Sequence, residues 1–413
     1  MAAPHNSTRG NVVEFKGLQN AQGLDGVEFG AFFESENVDI TRDSKPTLRP
    51  GRVQVFDGAV RDMWGDGTRS LFVTTSGDLR ELHTDETTSL LAPSITGTGR
   101  LVGVRIAGTV YWSCGTHQGV VEGGRNRTFG IAPLSPVGVA VLADSERLSP
   151  GRYGYAWAGV TAEGREGPVG LRGTFELNAR GGVELVPPIP AEAQVTRLRA
   201  YVTEPNGRKL FRLAQIEAPA NTTEQGQRHV EVTPVLGMSR PPLELVEPLP
   251  AFTCGGEYNG RLVVGYDDIV LYSDRFEYEY FAPDRNFIPM GSRVRVIAPV
   301  DSGVFVVTDS DHYFLDGPDI AAATLKRKAG YGGIANTLDY LEPKEHSFEG
   351  VEERVAVWMG HRGPVFGLPN GQIEDTGDGV LSVPDTMLQG AGAVRKVAGD
   401  VHYVSVVRYK GAS

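Results

Sequence analysis

The sequence predicts an all-β chain, a β-propeller-like repeat domain with an inserted β-sandwich of immunoglobulin or fibronectin type III character. Three observations predict it. The 53 glycines and 26 prolines among 413 residues are spread along the chain, so they punctuate turns rather than form low-complexity tracts. Short alternating runs rich in Val, Ile, Tyr and Phe recur between Gly, Asp, Asn and Pro, while long runs of helical spacing are missing. A hairpin phrase also returns along the chain at a nearly constant interval.

That phrase is an apolar run, a turn of Asp, Gly, Ser or Thr, and a second apolar run. It reads SLFVTTSGDLREL from Ser70 to Leu82 and TVYWSCGTHQGVV from Thr109 to Val121. Later copies are GRLVVGYDDIVLYS (Gly260 to Ser273), GVFVVTDSDHYFLDG (Gly303 to Gly317) and RVAVWMGHRGPVFGLPNGQI (Arg354 to Ile373). DVHYVSVVRY, Asp400 to Tyr409, reads as a half-copy. Copies start roughly 40 to 50 residues apart, the interval of a four-stranded propeller blade. One gap between the second and third copies breaks the rhythm, and removing about 100 residues from it restores the period.

The interrupting segment supports its own removal. RYGYAWAGVTAEGREGPVG, Arg152 to Gly170, reads as a strand, a turn and the start of another strand. GGVELV and TRLRAYVTEPNGRKLFRLAQIEA supply further strands around the Pro205–Gly207 turn, a strong hairpin signal. Proline-rich stretches, APLSPVG and PVLGMSRPPLELVEPLPAF, flank it. The expected division is 1–148 for an N-terminal arm and the first blades, 149–250 for the sandwich, and 251–413 for the remaining blades. The arm, Gly26 to Gly51, is a candidate to complete the last blade. The best helix candidate is short, DIAAATLKRK from Asp319 to Lys328, and reads equally as a loop with one turn.

Charge and composition narrow the function. The formal net charge of -11 disfavours a groove that grips nucleic acid through its phosphates, and suits a wall that DNA slides past. Cys114 and Cys254 are the only cysteines and read as buried thiols without a disulfide or zinc role. No run of about 18 apolar residues is present, so no membrane span is expected. The first residues lack an apolar signal-peptide core, and synthesis in a cytoplasm is the expectation.

Motifs for chemistry are not found. His5, His83, His117, His229, His312, His346, His361 and His402 are scattered singly, without metal-ligand spacing. GTGRLVG (Gly97 to Gly103) and GYGGIAN (Gly330 to Asn336) are glycine-rich but lack the phosphate-binding lysine, and read as turns. Asp267, Asp268, Asp309 and Asp311 are the carboxylates that a glycosidase pair would draw on, though no spacing selects them. Asp309, Asp311 and Asp316-Gly317 are loosely like a calcium loop but miss its closing glutamate. Leu325 to Lys328 is a small basic patch that reads as a solvated loop. The aromatic run Tyr272 to Gly291 reads either as a half-packed strand or as a protein-contact or sugar-binding face. The expectation is no enzyme, no catalytic, cofactor-binding or metal-binding residue, and no cofactor.

Several phrases carry a resemblance. ENVDITRDSKPTLRPGR (Glu36 to Arg52) with VRDMWGDGTRSLFVTTSGDL (Val60 to Leu79) resembles the start of bacteriophage tail proteins. CGGEYNGRLVVGYDDIVLYSDRFEYEYFAP, SRVRVIAPVDSGVFVVTDSDHYFLDGPD and KRKAGYGGIAN are similar to the tail hub or nozzle proteins, also called packaged-DNA stabilisation proteins, of short-tailed phages. The likeness is one of pattern over about two-thirds of the chain, and the sandwich departs from the simplest form of that family. It implies a virion tail protein and a homo-oligomer, a hexamer, below the portal and head-to-tail adaptor. Further implied partners are tail fibres or a needle, and genomic DNA passing through the lumen without tight binding. The alternatives are a carbohydrate- or receptor-binding propeller of a phage tail, possessing depolymerising activity or lacking it, and a bacterial scaffold propeller.

Overall fold

The computed structural model describes residues 54–97, 99–142, 147–234, 237, 239–376, 381–397 and 400–408, with the backbone of two short strands, Val38–Ile40 and Pro46–Leu48. Five four-stranded antiparallel meanders, here blades 1 to 5, follow one another along the chain. Blade 1 comprises Val60–Gly65, Ser70–Thr74, Leu79–Leu82 and Thr88–Ala92. Blade 2 comprises Leu101–Ile106, Thr109–Cys114, His117–Glu122 and Arg125–Thr128. Blade 3 comprises Cys254–Tyr258, Arg261–Tyr266, Ile269–Tyr272 and Phe287–Pro289. Blade 4 comprises Val294–Val300, Gly303–Thr308, His312–Asp316 and Thr324–Ala329. Blade 5 comprises Asp339–Leu341, Val355–Gly360, Gly363–Gly367 and Ile373–Asp375. A two-stranded hairpin, Gln389–Val397 with Asp400–Arg408, ends the series.

Each hairpin phrase of the sequence is the second and third strand of one blade, and the half-copy is the second strand of the final hairpin. The reason lies in the packing. Side chains of a strand alternate between the two faces of its sheet, and a middle strand here faces a neighbouring blade on each side. In blade 4, Val304 and Val306 join a core shared with blade 3, while Phe305 and Val307 join a core shared with blade 5. In blade 3, Leu262 and Val264 pack toward blade 2, and Val263 packs toward blade 4. Val110 and Trp112 of blade 2 meet Leu71 and Val73 of blade 1, whereas Tyr111 and Val120 face blade 3. Such a strand must be apolar at nearly every position, which makes it visible in the sequence.

First strands of successive blades lie side by side, from blade 1 through blade 3 to blade 4 and from blade 5 to the final hairpin. This is the arrangement of a β-propeller, in which the innermost strands surround an axis. The series bends back on itself. Arg100, just before the first strand of blade 2, bonds the Asp62 carboxylate of blade 1 at 2.8 Å and donates to the Gly390 carbonyl of the final hairpin at 3.3 Å.

The segment between blades 2 and 3 forms two further sheets. Gly138–Leu142, Gly182–Val186 and Val230–Glu231 make one, with Gly182–Val186 central. Gly173–Leu177, Gly151–Thr161, Val195–Thr203 and Leu210–Glu217, in that spatial order, make the other. Tyr153, Tyr155 and Trp157 of the second sheet share one core with Val183 and Leu185 of the first. The Pro205–Gly207 turn joins two paired strands as expected, with Asn206 in the left-handed region at φ 62°. In chain order the sheets run 1-4-7 and 3-2-5-6, which differs from the immunoglobulin sheets ABED and CFG. Their first strand, Gly138–Leu142, lies ahead of the expected boundary at 149 and starts on the last residue of the proline-rich APLSPVG.

Two local expectations change. In the helix candidate only Ile320–Ala322 winds into a 3-10 turn, capped by the Asp319 side chain. Leu325 to Lys328 lies in the outer strand of blade 4 instead of a loop, because Thr324–Ala329 pairs with His312–Asp316. Of the N-terminal arm, Val38–Ile40 and Pro46–Leu48 pair with each other, and the rest of Gly26 to Gly51 lies outside the described residues.

Inter-blade cores should therefore carry the stability. Phe305 is fully buried, with its ring 4.7 Å from Phe314 and 5.4 Å from Trp358. Phe305→Ala is expected to cost about 3–5 kcal/mol in urea unfolding, against about zero for Val406→Ser at an exposed position of the final hairpin.

Candidate functional site at the junction of the two units

The residues singled out for chemistry fall into structural pairings. Asp267, in the turn between the second and third strands of blade 3, receives the Arg293 guanidinium at 2.9 Å. Asp309, in the same turn of blade 4, pairs with Arg295, and Asp311 pairs with Arg327. Asp268 is placed beside Asp267, and its carbonyl accepts from the Met290 amide at 2.8 Å. Asp316 pairs with Lys326 across the outer strands of blade 4. The carboxylates thus lie at neighbouring turns, three of the four bound by a separate arginine.

Cys114 and Cys254 are buried free thiols, both pushed up by burial, Cys254 to about 12. Among the described residues no three His, Cys, Asp or Glu side chains gather as a metal site requires. The glycines of GYGGIAN serve close packing, since a Cβ on Gly332 would stand 2.0 Å from the Asp309 carbonyl oxygen. His5 lies outside the described residues.

The aromatic run gives the most information. Tyr280–Phe281 pairs with Glu247–Pro248, and Tyr280, Phe281 and Ala282 are buried. The run is thus a short packed strand set among turns, and Phe276 in one of those turns is 70% exposed. Between the buried aromatics sits Glu279, which the sequence reading did not select. Arg127 of blade 2 grips its carboxylate with two hydrogen bonds, 2.8 and 2.7 Å long. Arg165 of the two-sheet unit reaches it at 3.3 Å, and the Gly130 amide donates at 2.6 Å. The next residue completes the contact, as Tyr280 Oη accepts from the Ile131 amide at 3.0 Å.

One carboxylate therefore joins blade 2, blade 3 and the two-sheet unit. Burial alone would raise its pKa, but the Arg127 hydrogen bonds and charge, the Gly130 amide and Arg165 outweigh that and hold it below its ordinary value. A bidentate arginine pair has fixed geometry as well as strength, so it sets an orientation. The sequence signal was present: two acidic residues, Glu277 and Glu279, alternate with aromatics in FEYEY, and a carboxylate there needs a cation.

Beside this brace runs a cleft of about 390 Å³ walled by both units. Pro133, Leu134, Leu171 and Leu245 give it apolar sides, and Glu247 and Asp284 are among its polar residues. Leu171 and Leu245 are 76% and 63% exposed, and Leu245 sits in the left-handed region at φ 58°. The Leu245 amide donates to the Val169 carbonyl, which helps hold this turn in place. The cleft has the shape of a contact surface, without the converging polar groups of a catalytic pocket.

Comparison with known proteins gives no family. No family model matches the chain, and no curated protein matches it. Solved structures of low similarity include the WD40 β-propeller domain of Doa1, 11% identical, with 85% of this chain and 93% of that one covered and a TM-score of 0.30. The N-terminal domain of BBS1 in complex with ARL6 is 8% identical, covering 82% and 85%, with a TM-score of 0.30. PorZ, a surface component of the type-IX secretion system of Porphyromonas gingivalis, is 12% identical with a TM-score of 0.29; the match covers 79% of this chain and 32% of PorZ. The chain thus spans about a third of the length of PorZ. At these scores the likenesses carry no functional inference, and the fold rests on the blades described above.

Removing the brace should be costly. Glu279→Ala takes the shared carboxylate from Arg127 and Arg165 and leaves the Gly130 amide without its acceptor, and the expected loss is about 3–5 kcal/mol in denaturant unfolding. Limited proteolysis should then cut first near residues 129–133 and 246–250. Because the folded pKa is depressed, this contribution is complete above the ordinary value of 4.5 and is lost as pH falls through the lowered one. The wild-type minus Glu279→Ala stability difference should shrink below pH 4.5 and stay flat from there to neutrality.

Proposed function

We propose that the chain is a structural subunit of a phage particle, a tail hub or nozzle protein that assembles into a ring extending the DNA conduit. The observation that carries this reading is the Glu279 brace, which fixes a second unit rigidly on the propeller. A subunit that must keep neighbours in register needs such a fixed angle between its parts. The arginine pairing of Asp267, Asp309 and Asp311 supports the same reading, because those carboxylates hold the turns of the propeller face together. The phrases resembling tail hub proteins, Cys254 to Pro283 among them, form blade 3 and its link to the two-sheet unit.

In this role the chain contacts further copies of itself, the head-to-tail adaptor and portal, and tail fibres or a needle, while the genome passes without tight binding. The net charge of -11 suits that passage, since a basic wall would gain affinity by counterion release. A second reading, a carbohydrate- or receptor-binding propeller of the tail, draws on the exposed Phe276 ring beside the half-exposed Arg275.

Electron microscopy of the purified protein, or of virions, should show sixfold rings, and a strictly monomeric particle in both settings would reject the ring. Incubation with host surface polysaccharide should release no reducing sugar. Release that Asp268→Ala or Asp309→Ala abolishes would instead establish the depolymerising alternative.

A further inference from the structure

The seam between blades 4 and 5 holds two histidines that the proposed role does not use. His312 opens the third strand of blade 4 and is 0% exposed. Its Nδ1 lies 2.8 Å from the Tyr331 carbonyl oxygen, and Trp358 Nε1 of blade 5 donates to its Nε2 at 3.0 Å. These partners assign the tautomer, with the proton on Nδ1 and the lone pair on Nε2.

The second histidine, His361, lies in the turn between the second and third strands of blade 5 and is 7% exposed. Its Nδ1 makes no hydrogen bond, and Asp385 Oδ1 stands 3.8 Å away. Other charged groups lie near the pair. Asp311 precedes His312 and is held by Arg327 of the outer strand. Arg362 stacks over the Tyr331 ring at 4.8 Å, and Tyr331 Oη donates to Asp375 at 2.6 Å.

We infer that His312 is an acid-sensitive lock on the seam between blades 4 and 5, closed while its imidazole is neutral and opened by a proton at Nε2. That proton would point one donor at another, the Trp358 indole N–H, and would put a charge beside the apolar core of Phe305, Val307 and Val365. The neighbourhood offers it little relief. Asp311 and Asp375 are engaged by Arg327 and Tyr331, and the charge of His361 would oppose it. Burial first, and then His361, pull His312 down from 6.5 to about 4, against the opposing Tyr331 carbonyl and Asp311.

The sign follows. An opened or unfolded His312 takes its proton near 6.5 and the closed one near 4, so the lock is complete above 6.5 and weakens as pH falls between those values. At pH 5 the opening equilibrium should be about 30-fold more favourable than at pH 7.5. This window lies above the range in which Glu279 is lost, so the seam should respond before the junction does.

Hydrogen exchange of the full chain at pH 7.5 and pH 5, corrected for the intrinsic chemical rate, tests this. Amides of Gly303–Thr308 and Val355–Gly360 should lose about 30-fold of protection, while those of Gly151–Thr161 in the two-sheet unit keep theirs. In His312→Gln, which offers Trp358 an acceptor that does not titrate, the difference should vanish. Equal loss in the two regions, or an unchanged pH response in the variant, overturns the proposal. Should the variant not fold, NMR of histidine-labelled wild-type protein decides: a His312 ring neutral through pH 5 supports the lock, and one that titrates near 6.5 overturns it.

Discussion

A middle strand of any blade must bury both of its faces, and the rest of the structure depends on that constraint. A single four-stranded meander with Phe305 on one side and Val304 on the other cannot be stable alone, because one apolar surface would always meet water. Stacking blades covers each face with the next, and a stack that bends round covers most of the last face as well. At about 1.5–3 kcal/mol for each large apolar side chain buried, a few residues per seam outweigh most local preferences. The propeller is thus a consequence of two-faced strands, and the Arg100 contacts to Asp62 and Gly390 mark where the two ends of the series approach.

The same constraint explains what could be read beforehand. Strands such as Arg261–Tyr266 and Gly303–Thr308 announce themselves because nearly every residue is apolar. The fourth strands do not. Arg125–Thr128 is wholly polar and Thr324–Ala329 is mostly exposed, and both are strands because a neighbour offers its edge, not because of their own composition. The partners of Glu279 were hidden for a related reason: Arg127 and Arg165 are distant from it in sequence and belong to different units. Periodicity shows which residues are buried together, while the partner of a single buried charge emerges only in three dimensions. His312 likewise reads as one scattered histidine until Trp358 and Tyr331 stand on either side of it.

Charge in this protein is used mainly for joining. The junction and the turns of blades 3 and 4 are each held by arginine–carboxylate pairs, several of them half-buried. Such pairs add modest stability, yet they penalise wrong arrangements heavily, since a misplaced blade would leave a charge without its partner. The tail-subunit reading draws on this economy of specific contacts, in which geometry is held constant and surface chemistry stays mild. The exposed leucines at the cleft stand apart from that pattern, and they lie where the two units meet.

The position of the two-sheet unit also sets an order of events during synthesis. Blade 2 is finished at Thr128, but the strand that covers its far face begins at Cys254. At the usual pace of translation, the intervening stretch takes about 6 to 25 s to make. Throughout that interval Val104, Tyr111 and Val120 have no blade 3 to pack against. A nascent chain is therefore sticky for seconds at one known surface. Early folding of the two-sheet unit, whose contacts are all more local than those across the gap, would shorten the stretch left loose beside it.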